Sequence, residues 1–307
     1  MKILITGASG MVGRNLVAAN KSQHSLLTPT SRELNLKDYQ NTEKYLQKNL
    51  PDFIIHCAGK VGGIQANIKE PVNFLIDNLD MGRNLFTAAR KTGIPRAFNL
   101  GTSCMYPKNC TGSIAEEFLL TGELEPTNEG YALAKITTAR LCEYISQANE
   151  DLSYKTLIPC NLYGRWDKFS PEHSHLIPAI IHKVYIAIKN GENEVTIWGD
   201  GTTRREFMYA EDFAEFIYFA IDNFDNIPKY LNVGLGNDFS INEYYRAVAG
   251  SMNFRGKFVH DLSKPTGMRR KLMNVDKLHA LGWRHSYSLE EGIARTVQFY
   301  EGNIAND

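Results

Sequence analysis

Four short apolar runs punctuate the first half of the chain, near Lys2–Thr6, Asp52–His56, Ala97–Gly101 and Lys155–Pro159, with a weaker one near Ser25–Thr28. Apolar runs of this length without polar alternation read as strands buried on both faces, the mark of a parallel sheet. Longer stretches with helical spacing lie between them, Val72–Lys91 and Glu129–Gln147 among them. Strand alternating with helix predicts an α/β fold built on a doubly wound parallel sheet with right-handed crossovers.

The pattern loosens after Gly164. Residues 165–174 are polar, aromatic and proline-containing and read as a loop, followed by a helix at Ile177–Asn190 and a turn at Trp198-Gly199-Asp200-Gly201-Thr202. A helix at Met208–Asn223 and a strand at Tyr230–Val233 then return to the sheet. Two domains are expected: residues 1–165 plus about 208–239, and a smaller C-terminal one from about 166–207 plus 240–307.

A chain of 307 residues is long enough for both. Its 34 Lys and Arg balance its 34 Asp and Glu, which argues against bulk attraction to nucleic acid or an anionic membrane. Any anionic ligand must be met by locally gathered cations. No apolar run approaches a membrane span, and no charged leader with an apolar stretch precedes the first strand. The five cysteines, Cys57, Cys104, Cys110, Cys142 and Cys160, lack metal-site or disulfide-framework spacing. A reduced, cytoplasmic protein without a metal is expected.

The first strand runs into Thr6-Gly7-Ala8-Ser9-Gly10-Met11-Val12-Gly13 and then a helix. Gly7 permits the tight turn, Gly10 lets the backbone approach a pyrophosphate, and Gly13 allows close helix–sheet packing. The N–H groups around Ser9, Met11 and Val12 would face the phosphates. The context is that of a Rossmann-type dinucleotide site. The second strand ends in Leu27-Thr28-Pro29-Thr30-Ser31-Arg32-Glu33, with no acid at the strand end to bind ribose hydroxyls. Arg32 and neighbouring hydroxyls suit a 2′-phosphate, so NADP(H) is expected, with Glu33 as counter-evidence unless it serves as a cap.

Tyr131-Ala132-Leu133-Ala134-Lys135 sets a phenol and an ammonium one helical turn apart. Thr102 follows Leu100-Gly101 at the end of a predicted strand, where α/β sheets bind ligands. A hydroxyl, a phenol and a lysine converging there would form an acid catalyst for a carbonyl, with the ammonium and the positive charge of an oxidised nicotinamide lowering the phenol pKa.

These residues resemble the extended short-chain dehydrogenase/reductase family, nearest its GDP-L-fucose synthase group of GDP-4-keto-6-deoxy-mannose 3,5-epimerase-4-reductases. The resemblance also rests on Lys60-Val61-Gly62-Gly63-Ile64, Thr102-Ser103-Cys104-Met105-Tyr106-Pro107, Glu125-Pro126-Thr127-Asn128-Glu129, Asn161-Leu162-Tyr163-Gly164, Ser174-His175-Leu176-Ile177-Pro178, Trp198-Gly199-Asp200-Gly201 and Arg205-Glu206-Phe207. It implies Thr102 in place of the family's catalytic Ser, Tyr131 as proton donor, and Lys135 holding cofactor ribose and phenol. Cys104 and His175 look like the pair that epimerises the carbons flanking the ketone. Leu100, Gly101, Pro159, Asn161, Leu162 and His175 would lie near the cofactor, and Lys183, Trp198, Arg205 and Arg270 near the substrate. The implied substrate is a GDP-linked 4-keto-6-deoxy sugar, the setting nucleotide-sugar biosynthesis, and the assembly a homodimer. Cys57, Cys110 and Cys142 read as core residues.

One departure concerns the sugar. The family's Pro-Asp-Gly turn is Pro265-Thr266-Gly267 here. Enzymes acting on 6-deoxy-heptoses or dideoxy sugars share these motifs, so a 4-reductase with little or no epimerase activity stands as the alternative. A 4,6-dehydratase would place Asp-Glu after the Thr, where this chain has Ser103 and Cys104. A non-catalytic dinucleotide sensor would have no use for Thr102, Tyr131 and Lys135 together.

Overall fold

A computed structural model describes residues 1–21, 24–170, 174–263 and 269–304. β1 (Lys2–Thr6) leads into α1 (Met11–Ala19), followed by β2 (Ser25–Leu27), α2 (Tyr39–Asn49) and β3 (Phe53–His56). Then come α3 (Ile64–Lys69), α4 (Pro71–Lys91), β4 (Arg96–Leu100), α5 (Glu129–Ala148) and β5 (Ser153–Pro159). β6 (Asn161–Tyr163), α6 (Leu176–Asn190), β7 (Glu194–Trp198), β8 (Arg204–Arg205) and β9 (Phe207–Tyr209) precede α7 (Ala210–Asp222) and β10 (Tyr230–Val233).

β10 returns to a six-stranded sheet of order β10-β5-β4-β3-β1-β2, in which every pair is parallel. The winding reverses between β1 and β3, which opens a crevice at their C-terminal ends. Alternate strand residues face opposite layers. Ile3, Ile5, Phe53, Ile55 and Phe98 pack with Phe213, Phe216 and Ile217 of α7. Leu4, Ile54 and Ala97 pack with Leu85, Phe86 and Ala89 of α4 and with Cys142 and Ile145 of α5. Both faces are covered, which explains strands without polar alternation. Each fully buried Phe or Ile here contributes about 1.5–3 kcal/mol of transfer free energy.

Helix α5 is seated closely on α4. A Cβ at Gly82 would stand 2.3 Å from Thr138 Oγ1, so only glycine permits the approach.

β11 (Phe239–Ser240), α8 (Ile241–Ser251), β12 (Lys257–Asp261), β13 (Arg270–Lys271), α9 (Asp276–Ala280) and α10 (Leu289–Asn303) complete the chain. A separate apolar cluster joins Ile177 and Ile181 of α6, Val195 and Ile197 of β7, Tyr244 and Val248 of α8, and Ile293 and Val297 of α10. β8 lies between β11 and β13, β12 pairs with β7, and β6 pairs with β9.

One expected element changes type. Met208 and Tyr209 were placed at a helix start by pattern but belong to β9, where Met208 pairs with Leu162 and Tyr209 with Tyr163. The Asn161 side chain donates to Glu206 O at 2.9 Å, just before that register. Long-range backbone pairing outweighs local helical spacing here, and the helix begins at Ala210.

Candidate active site

The glycine turn sits at the crevice. Gly7 adopts φ +70°, and a Cβ there would stand 2.7 Å from Ala58 Cα. A Cβ at Gly13 would stand 2.4 Å from Gly7 O and 2.5 Å from Ala8 Cα, both backbone atoms that cannot yield. Gly10 is the N-cap of α1 and offers no side-chain cap, so the first N–H groups of the helix are left for a ligand. Ser9 is exposed there, with Met11 and Val12 half-buried. A bare helix N-terminus beside close-packed glycines fits a pyrophosphate.

The residues after β2 bear on the ribose. Glu33 accepts from Thr30 N at 2.8 Å and from Thr30 Oγ1 at 2.9 Å, and these bonds hold its carboxyl below the usual range. It closes the Thr30 turn, while Asp38 caps α2. Arg32 is exposed and has no ion-pair partner among the described residues. A guanidinium without a competing carboxylate suits a phosphate.

β4 and β5 end side by side, with Leu100 opposite Leu157 and the Gly101 N–H donating to Leu157 O at 2.8 Å. Pro159 ends β5, and Asn161 and Leu162 begin β6 just beyond the same edge.

Thr102 follows β4. Its Oγ1 accepts the Cys104 N–H at 3.3 Å, and its hydroxyl lies near enough to the Tyr131 phenol to lower the phenol pKa. Tyr131 and Lys135 lie in the first turns of α5. Phe74 meets the Tyr131 ring edge-on at 6.4 Å. Lys135 is only 7% exposed, its Nζ donates to Leu100 O at 2.9 Å, and it stands 6.0 Å from the Tyr131 ring centre. Burial pushes the Lys135 ammonium down to about 8, with Cys57 opposing.

In the cofactor-free protein the phenol pKa is raised rather than lowered: burial raises it most, Cys104 raises it further, and the Thr102 hydroxyl offsets this only in part. The phenol is therefore held protonated, the form a proton donor requires.

Cys104 occupies the short 3₁₀ turn Ser103–Met105 above β4. The Asn128 amide donates to its Sγ at 3.3 Å. His175 is the N-cap of α6 and makes no side-chain capping bond. It is reachable by solvent yet crowded by protein on one side; that crowding, together with Lys168, lowers its pKa. The adjacent Ser174 O lies 3.8 Å from where a Gly63 Cβ would be, which ties this segment to the loop before α3. The structure gives the Cys104 sulfur the Asn128 amide as its hydrogen-bond partner, and no hydrogen bond to His175 among the described residues.

The cations expected to meet the substrate lie on α6, β8 and β13. Lys183 donates to Thr196 O at 3.0 Å and stands 5.6 Å from the centre of the Trp198 ring, which is 59% exposed. The Arg205 guanidinium is half-buried, and burial lowers its pKa. β13 runs beside β8, with Lys271 opposite Arg205 and Arg270 opposite Arg204. Asp238, 1% exposed, pairs with Arg204 at 2.6 Å and with Arg270. Sequence reading named Arg270 for the substrate but missed Asp238, which fixes it. It also missed Glu206, whose buried carboxylate accepts the N–H groups of Leu235, Gly236 and Met273 and joins these segments. Pro265, Thr266 and Gly267 lie outside the described residues.

Residues 3–234 match the model of the NAD dependent epimerase/dehydratase family. The chain is 54% identical over 308 residues to GDP-L-colitose synthase of Yersinia pseudotuberculosis, covering 100% of both chains. It is 49% identical over 300 residues to GDP-L-fucose synthase of Azorhizobium caulinodans, covering 97% of this chain and 96% of that one. Among solved structures it is similar to a GDP-mannoheptose C4 reductase from Campylobacter jejuni with NADP bound, at a TM-score of 0.87 and 29% identity over 98% of each chain. The glycine cradle at the β1/β3 crevice, the Thr102–Tyr131–Lys135 cluster and full-length relatives agree that the chain belongs to the NAD dependent epimerase/dehydratase family.

Proposed function

We propose that the protein reduces the C4 ketone of a GDP-linked 4-keto-6-deoxy sugar with NADPH, and epimerises C3, C5 or both before reduction. The observation that carries this reading is the union of Thr102, Tyr131 and Lys135 at the C-terminal edge of the sheet, beside the glycine cradle. The ligand sites divide with the two parts of the fold. Residues 1–165 plus about 208–239 take the cofactor, and about 166–207 plus 240–307 take the sugar nucleotide.

Gly7, Ser9, Gly10, Met11, Val12 and Gly13 would hold the pyrophosphate of the cofactor and Arg32 its 2′-phosphate. Leu100, Gly101, Pro159, Asn161, Leu162 and His175 would line its other end, with Lys135 at the ribose. Bound NADPH supplies hydride to C4. Tyr131 gives its phenolic proton to the C4 oxygen, and Thr102 orients that oxygen by a hydrogen bond. The Lys135 ammonium stabilises the phenolate left behind.

Epimerisation uses other atoms. The Cys104 thiolate takes a proton from a carbon beside the ketone, forming S–H, and the C–H electron pair moves into an enolate. His175 in its protonated form returns a proton to the opposite face. The negative charge of the enolate falls on the C4 oxygen, where Thr102 and Tyr131 already stand. Lys183, Trp198, Arg205 and Arg270 would receive the GDP moiety.

A second reading takes its sugar from the relatives named for colitose and mannoheptose, a GDP-linked dideoxy or heptose 4-ketone, and pairs it with reduction accompanied by little or no epimerisation. Product NMR after turnover of GDP-4-keto-6-deoxy-mannose in heavy water decides between them. The first reading expects deuterium at C3, C5 or both. Efficient NADPH-dependent reduction without deuterium supports the second.

A homodimer belongs to the same reading. α4 and α5 expose Val72, Ile76, Leu133 and Tyr144, and light scattering at micromolar concentration tests it. Among the described residues no helix is long and apolar enough to cross a membrane, and a cytoplasmic setting is proposed.

A further inference from the structure

Asparagine is among the best N-cap residues, because its side-chain oxygen accepts an N–H of the first helical turn. Asn128 stands at the N-cap of α5, yet its side chain makes no capping bond. Its Nδ2 instead donates to Cys104 Sγ at 3.3 Å, and its Oδ1 is buried with no partner among the described residues. The amide thus forgoes a helix cap and faces a sulfur. The loop around it is held by local bonds: the Asn128 N–H donates to Glu125 O at 3.1 Å, and the Glu125 carboxylate accepts from Thr127 Oγ1 at 3.1 Å. Three residues further on, the same backbone carries Tyr131.

A thiol sulfur is a weak acceptor, whereas a thiolate is a strong one. An N–H aimed at sulfur therefore stabilises the anion far more than the thiol. We propose that Asn128 is the positioning residue of proton exchange: its amide N–H holds Cys104 as the thiolate that takes the sugar proton. This rests on the epimerase reading above. When sulfur takes the proton from carbon, the S–H formed no longer needs the donor, and the thiolate is restored when that proton leaves. Asn128 and Tyr131 lie in the same turn at the start of α5, which sets the donor to the sulfur and the proposed proton-donating phenol close together in sequence.

Sequence gave no sign of this, since an Asn before a helix reads as a cap.

The test uses Asn128→Ala and Asn128→Asp in the full-length protein, with two readouts. The first is the rate of iodoacetamide alkylation of Cys104 near pH 7, with Cys104→Ser as the background. We expect a fall of about fivefold or more in both variants, closing at high pH where thiols ionise unaided. The second compares deuterium exchange into GDP-4-keto-6-deoxy-mannose with NADPH-dependent reduction of the already epimerised ketone. Exchange should fall at least tenfold more than reduction. Asn128→Ala alkylation equal to wild type overturns the proposal, as does an equal loss of exchange and reduction. If wild-type protein exchanges no deuterium, the epimerase reading fails by itself. The alkylation comparison then decides the action of Asn128 on the sulfur.

Discussion

The proposed reducing group and the proposed proton-exchanging group are built in different ways. Tyr131 and Lys135 stand on a helix pressed against α4 at Gly82, with Lys135 buried and bonded to the end of β4. Cys104 stands on a single 3₁₀ turn and His175 at a helix end, with the Cys104 sulfur met by the Asn128 amide from the loop that enters α5. The first arrangement follows from how sheet and helices pack, so altering it means altering the core. The second depends on a few loop residues. On the proposed roles, reduction rests on the packed fold, and exchange at carbon rests on a few loop residues that could be changed without altering the core.

The comparison breaks most visibly at Tyr131. Tyr131→Phe keeps the ring and its edge contact with Phe74 but removes the proton donor. Turnover should fall about 10²-fold or more, the range for general acid catalysis, while NADPH binding by fluorescence titration changes little. Near-normal turnover would remove Tyr131 from the chemistry.

Arg205→Ala probes the proposed GDP site. If the half-buried guanidinium meets a phosphate there, its loss should raise KM by about tenfold or more and weaken inhibition by GDP in proportion. An unchanged GDP inhibition constant excludes Arg205 from the site.

Arg32→Ala should lower kcat/KM for NADPH by up to about tenfold and leave the NADH value alone, because the guanidinium serves only a 2′-phosphate. An equal loss with both cofactors contradicts that role.

A smaller effect concerns pH. The free protein loses the Lys135 charge as pH rises through about 8, so kcat/KM for reduction should decline above that pH. The sign for stability is opposite. The folded-state pKa lies below the unfolded value, so between about 8 and 10.5 the unfolded chain binds more protons. The contribution of Lys135 to stability then rises with pH across that window and is lost as pH falls through about 8. Lys135→Met should abolish both trends; a basic limb that survives belongs to another group.

The parallel sheet was legible because its strands are buried on both faces and carry unbroken apolar runs. The cradle was legible because Gly7 and Gly13 meet backbone atoms that exclude any side chain. The pairs β6–β9 and β8–β13 were not. Strands of two or three residues carry no period, and their partners lie dozens of residues away. The same limit hid Asp238, an isolated acid whose role depends on Arg204 and Arg270 arriving from elsewhere. The phenol pKa was misread because spacing shows a nearby ammonium but not the depth of burial.

The separation of the two groups is tested most directly by one NMR experiment in heavy water, in which Cys104→Ser and Tyr131→Phe are each given GDP-4-keto-6-deoxy-mannose and NADPH. Serine keeps the shape but leaves almost no anion near neutrality. The account predicts that Cys104→Ser yields reduced sugar nearly free of deuterium at C3 and C5. It predicts that Tyr131→Phe returns unreduced sugar that still carries deuterium. Parallel loss of exchange and reduction in both variants would contradict it.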